Sequence, residues 1–137
     1  MAAAPTDSVS DQSIRMIDAG DYNLGVGLVR RPAAQPGGPI VHHAPAEIYR
    51  VVEGAGTLVT GGTLVDAQPL AADSRVVTDL TGPSSIGSRI EGGRSRPVAA
   101  GDMVIIPAGV PHGFSALSSD IAYVVVQVDP DQLVRLK

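Results

Sequence analysis

The sequence predicts an all-β protein, a sandwich or barrel of short strands, and three observations predict it. Glycine and proline are plentiful, 16 and 11 of 137 residues, against a usual combined share of about 12%. That density breaks long helices and supplies turns. Short apolar runs recur at turn-spaced intervals along the chain. No stretch sustains a helical period, Asp131–Leu136 being the single candidate. With no Trp, one Phe and three Tyr, Val, Ile and Leu must fill the core.

In chain order, residues 1–12 are small and polar and read as a flexible N-terminal arm. One domain of 13–137 follows, its barrel spanning about 13–130, since a chain of this length suits a single core. Ser13–Ile17 and Leu24–Val29 read as strands around a turn at Asp18–Asn23. Arg31–Pro39 holds three Pro and two Gly and reads as an irregular loop. Ile40–His43 and Glu47–Val52 are strand-like, interrupted by Ala44–Pro45–Ala46. Thr57–Val59 and Thr63–Val65 flank Thr60–Gly61–Gly62 and read as a tight hairpin. Residues 67–93 form a long, irregular insert with short strands expected near Ser74–Asp79 and Ser85–Ile90. An insert of that length usually carries function or faces a partner. Arg96–Ala99, Met103–Ile106, Gly113–Ala116 and Ile121–Val128 complete the strands.

Charge and composition exclude several classes. The net charge is −4, and the nine Arg and one Lys are scattered, so no basic stripe suits nucleic acid or an anionic membrane. The longest apolar runs, such as Ala122–Val126, are far too short to span a bilayer. Without cysteine there are no disulfides, no thiolate catalysis and no Cys-based metal site. Met1–Pro5 lacks a basic start and a long apolar run, so no signal peptide is expected. A cytoplasmic protein is the default reading, and an exported chain already processed is the alternative.

The chemistry-bearing residues are few: His42, His43 and His112, with Glu47, Glu53 and Glu91. The histidines and Glu47 lie beside strand ends and turns, and imidazole with carboxylate suits a divalent transition metal. Glu53 and Glu91 read as solvated. Neighbouring side chains on a strand point to opposite faces, so His42 and His43 are not both expected inside one barrel. The interruption at Ala44–Pro45–Ala46 voids a parity count from Glu47, and both histidines stay open, with His42 slightly preferred. If Glu47 faces inward, so do Tyr49 and Val51. Phe114 shares the face of His112. Gln127 stands in a valine-rich run as either an inward contact or a solvated residue.

Two segments resemble the cupin superfamily, in its small single-domain form. Gly38–Gly54, GPIVHHAPAEIYRVVEG, resembles the first cupin motif: a Gly, an HxH pair, three or four residues, a Glu, six residues and a Gly. Gly101–His112, GDMVIIPAGVPH, is similar to the second motif, with Gly101, Pro107, Gly109 and His112 all in place. The sequence departs from the family at the first histidine, which is Ile40 or Val41 here, and at a following Asn, which is Ala116. The resemblance implies a cupin jelly-roll β-barrel (a double-stranded β-helix) and often a homodimer. It implies one divalent transition metal (Fe, Mn, Ni or Zn) on one of His42 and His43, with Glu47 and His112. Such a set leaves positions open for a small-molecule ligand. The implied function is a metal-dependent oxygenase, lyase or isomerase acting on a small oxygen-rich molecule. Alternation, rather than the resemblance, makes Tyr49 a candidate catalytic group that moves a proton, as a metal-bound hydroxide also could, or else a packing residue; it places Phe114 and Gln127 in the pocket wall, with a core role as the alternative for Phe114. The alternatives are a non-catalytic small-ligand-binding cupin and a structural, dimerising barrel without metal.

Overall fold

The computed structural model describes residues 8–137. Its strands are β1 (Ser10–Asp18), β2 (Asn23–Arg31), β3 (Ile40–His42), β4 (Ala46–Glu53), β5 (Ala55–Thr60), β6 (Thr63–Val65) and β7 (Gln68–Pro69). They continue as β8 (Ser84–Ile86), β9 (Arg89–Glu91), β10 (Arg94–Ala99), β11 (Met103–Ile106), β12 (His112–Leu117) and β13 (Ile121–Asp129). One sheet runs β1-β2-β13-β4-β11, a second runs β10-β5-β12-β3-β8-β7, and β6 pairs with β9. All pairings are antiparallel. The all-β jelly roll expected from the sequence is the fold found.

Alternation builds the core. In β13, Ile121, Tyr123 and Val125 are buried, and in β4 Tyr49 and Val51 are. These residues meet Leu58 of β5 and Val98 of β10 across the two sheets. Each such side chain contributes on the order of 1.5–3 kcal/mol by leaving water. Gly54 lets the chain leave β4: its φ is +85°, and a Cβ there would collide with the Asp120 carbonyl. Only glycine meets both demands.

The structure differs from the sequence reading at five places. β1 begins at Ser10, because Ser10 to Gln12 pair with Arg30 to Leu28 of β2; residues 1–7 of the expected arm lie outside the described residues. Ser74–Asp79 is not a strand. A wide helical turn covers Val76–Thr81, begun by the Thr78 N–H donating to the Ser74 carbonyl and ended at Gly82, whose φ is +68°. The expected strand Ser85–Ile90 splits between β8 and β9, which belong to different sheets. β5 and β6 do not pair as a hairpin: β5 lies between β10 and β12, and Gly61–Gly62 hands the chain to the small sheet. Asp131–Leu136 is not helical. The Asp129 carboxylate accepts from the Val134 N–H at 2.7 Å, and Met16 and Lys137 exchange both backbone bonds, which draws the tail out along β1.

Candidate metal centre

The two sheets bring the polar residues together from opposite sides. His42 closes β3 and His112 opens β12, both in the six-stranded sheet, whereas Glu47 lies on β4 of the other. The chain crosses between sheets at His43–Ala44–Pro45, and Pro45 is fully buried there. This crossing is why strand parity could not choose between the histidines. His42, Glu47 and His112 are all buried, and their ligand-type atoms lie within 4.8 Å of one another.

One oxygen is the focus. Glu47 Oε1 lies 3.0 Å from His42 Nε2 and 3.7 Å from His112 Nε2. The Tyr49 hydroxyl donates to the same oxygen at 3.5 Å. On the far side of His112, Nδ1 is 3.0 Å from the Val110 carbonyl. A carbonyl only accepts, so Nδ1 carries the proton and a neutral ring leaves Nε2 as a bare lone pair. That lone pair is buried and has no hydrogen-bond partner among the described residues. On the far side of His42, Nδ1 meets Ser84 Oγ at 2.8 Å. The Ser84 hydroxyl also reaches the Gly82 carbonyl at 3.0 Å. Turned that way, it accepts from Nδ1–H and leaves His42 Nε2 free as a ligand as well.

With no cation between them, His42 Nε2 stands at hydrogen-bonding distance from Glu47 Oε1 and can carry the proton instead. Burial alone would raise the Glu47 carboxyl, but the His42 charge and hydrogen bond, then His112 and the Tyr49 hydrogen bond, outweigh it and hold the group below its ordinary range. Burial, reinforced by His42, lowers His112 to about 4, so the ring is neutral near pH 7. Burial, with Tyr123 and Glu47 adding to it, pushes the Tyr49 phenol well above its ordinary value. Tyr49 is therefore a firm proton holder and a donor. An anionic carboxylate beside the bare lone pair of His112 and a His42 nitrogen that offers another once its proton leaves is the donor set of a cation site, and the residues present fit a divalent metal.

The remaining expected residues divide. His43 points outward and is exposed, its Nε2 2.9 Å from Ser85 Oγ. It stands just past the end of β3 and outside the cluster of His42, Glu47 and His112. Ile40, two residues before His42, lines the cavity where the first cupin histidine would stand. Gln127 is buried beside Glu47, its register partner on β4, and its amide donates to the Leu80 carbonyl at 2.8 Å. Phe114 is corrected from cavity wall to support. It packs on Tyr123, with centroids 5.9 Å apart, and under the Arg31 guanidinium at 5.8 Å.

A cavity of about 370 Å³ opens beside the cluster, lined by His42, Glu47, Tyr49 and Tyr123 together with Asp11 and Arg31. That volume suits a small ligand. The sequence reading missed Asp11 and Arg31, having left them in the arm and in a loop. Arg31 carried a signal: it shares parity with buried Val29 once the strand is extended by two residues. Ser84 carried none, since only the pairing of β3 with β8 places it opposite His42.

No protein-family model and no curated protein matches the sequence. Solved structures do. An L-ribose isomerase from Cellulomonas parahominis matches with a TM-score of 0.59 at 14% identity, over 88% of this chain and 61% of that one. An oxalate oxidase in complex with glycolate matches at 0.55 and 18%, over 95% and 57%. The DMSP lyase DddQ from Ruegeria pomeroyi matches at 0.53 and 20%, over 96% and 51%. The chain thus spans between about half and three-fifths of these neighbours' lengths. All three have the cupin fold, and so does this chain.

Proposed function

We propose that this cupin-fold chain holds one divalent transition metal, Fe, Mn, Ni or Zn, on His42, Glu47 and His112. In this reading it is a metal-dependent enzyme, an oxygenase, lyase or isomerase, acting on a small oxygen-rich molecule. The observation that carries the reading is the buried lone pair of His112 Nε2, which faces an anionic carboxylate with no donor to satisfy it. A bound metal supplies Lewis-acid polarisation of a substrate oxygen. The chain's own residues do the rest. Glu47 and His42 fix one corner of the cavity, with His112 buried behind them. Ser84 and the Val110 carbonyl hold the two rings in orientation. Tyr49, protonated and buried, stands as a hydrogen-bond donor at the cavity wall, able to give up its proton only to a strongly basic oxygen. Tyr49 turns into the cavity, which favours a catalytic site over a plain apolar ligand pocket; Gln127 is buried beside Glu47 but does not line that cavity. Of the structural neighbours, an isomerase, an oxidase and a lyase are enzymes, which supports the class and leaves the reaction open. A second copy of the chain is the partner proposed for the apolar outer edge at β11, where Met103 and Ile105 are exposed.

Metal analysis of protein purified without chelator tests this reading. The native chain and His43→Ala are expected to carry one divalent ion per chain. Glu47→Ala, His112→Ala and His42→Ala are expected to lose it, and Ser84→Ala to bind about tenfold more weakly. A native chain that takes up no metal under any loading condition would overturn the metal centre.

A further inference from the structure

Adjacent arginines at the end of β2 have opposite fates. Arg30 turns outward and pairs with Glu53 at 3.3 Å. Arg31 turns inward and lines the cavity that holds His42, Glu47 and Tyr49. Its Nε donates to the Tyr123 hydroxyl at 2.9 Å and its Nη1 to the Pro36 carbonyl at 2.6 Å, and the Phe114 ring lies beneath it. These neighbours fix the guanidinium, and all of them are uncharged. Among the described residues no carboxylate forms an ion pair with Arg31, and its Nη2 has no hydrogen-bond partner. A guanidinium drawn into a protein wall is normally met by an anion. Here the geometry is fixed, Asp11 acts on the guanidinium only across the cavity and without an ion pair, and Nη2 is left open, which is the arrangement of a preorganised oxyanion site.

We propose that Arg31 anchors the carboxylate of a small organic acid, whose other, oxygen-bearing end faces Glu47, His42 and Tyr49. This names the substrate class for the metal-centre reading and rests on it only for what happens at that far end. A planar carboxylate matches the planar fork of the guanidinium. A single negative charge is also favoured over a phosphate, because Asp11 and Glu47 already place two acids around the same cavity.

The test is an NMR titration with acetate and glycolate, against their neutral amides acetamide and glycolamide, and against inorganic phosphate. It is run on the native chain, Arg31→Gln and Arg31→Lys, each both metal-loaded and chelated. The acids are expected to bind the native chain about tenfold or more tightly than the amides. Arg31→Gln should erase that preference and Arg31→Lys should keep part of it. The preference should survive chelation, so a failed metal centre and a failed anchor give different results. Equal binding of acid and amide, no binding of either acid, tighter binding of phosphate, or an undiminished preference in Arg31→Gln would overturn the proposal. If Arg31→Gln does not fold, the native acid-over-amide ratio and the Arg31→Lys titration still decide it.

Discussion

Asp11 and His112 titrate against each other. Burial, with Glu47 adding to it, raises Asp11 to about 6, so the folded chain keeps a proton that the unfolded chain releases above pH 4. The stability it adds is complete below about pH 4 and lost as the pH rises through 6. Burial lowers His112 to about 4, so its share is complete above about pH 6.5 and lost as the pH falls toward 4. In the metal-free protein the two slopes oppose each other between these limits. The urea midpoint of the chelated native chain is therefore expected to change little from pH 6 to 4.5. In Asp11→Asn the histidine slope is no longer opposed, Glu47, held low in the fold, adds to it at the acid end, and stability should fall by about 1–2 kcal/mol on acidification across that window. A fall of the same size in the native chain would contradict the pairing. At this scale Glu47, His112 and Tyr49 were legible in the sequence, since motif spacing and alternation place them. Asp11 was not, because nothing in a polar N-terminal segment announces that it pairs with β2.

Turns and crossings decide where the strands deliver their side chains. The Gly109 N–H donates to the His42 carbonyl at 2.7 Å, tying the turn before β12 to the end of β3, and its φ of +78° suits glycine. Gly54 is under a stronger constraint, with a positive φ and no room for a Cβ. Gly54→Ala is expected to cost at least about 2 kcal/mol in urea unfolding; a loss below about 0.5 kcal/mol would mean that the turn relaxes without strain. Most strands could be read from alternation, because their apolar periods match the pleat. Partners could not. Thr57–Val59 and Thr63–Val65 look like the arms of one hairpin, yet non-local pairing sends them to different sheets. Val76 and Val77 look like strand residues, yet Ser74 and Gly82 bracket them into a helical turn that brings Leu80 to Gln127.

The five-stranded sheet ends at β11, whose outer edge has no partner strand among the described residues. Ile105 is 73% exposed and Met103 61%. Ile105 continues a row through Ile48, Val126 and Val26 on neighbouring strands. An apolar row beside an open strand edge invites a second copy. The native chain is expected to run as a dimer in light scattering, and Ile105→Arg as a folded monomer whose unfolding midpoint no longer depends on protein concentration. A native monomer at micromolar concentration would remove the dimer from the reading. The overall architecture was legible because turn chemistry and two spaced motifs specify it together. Which face is left uncovered was not, since period-two patterning does not say which strand stands last.

Glu47 reaches its histidines across the gap between two sheets rather than along one. An ion seated there would act as a rivet joining the halves of the barrel, beside the Tyr49 ring that belongs to the core between them. Occupancy would then be written into mechanics as well as chemistry. The emptied site should breathe, its amides exchanging with solvent sooner, and the filled one should stiffen in proportion to how tightly the ion is held.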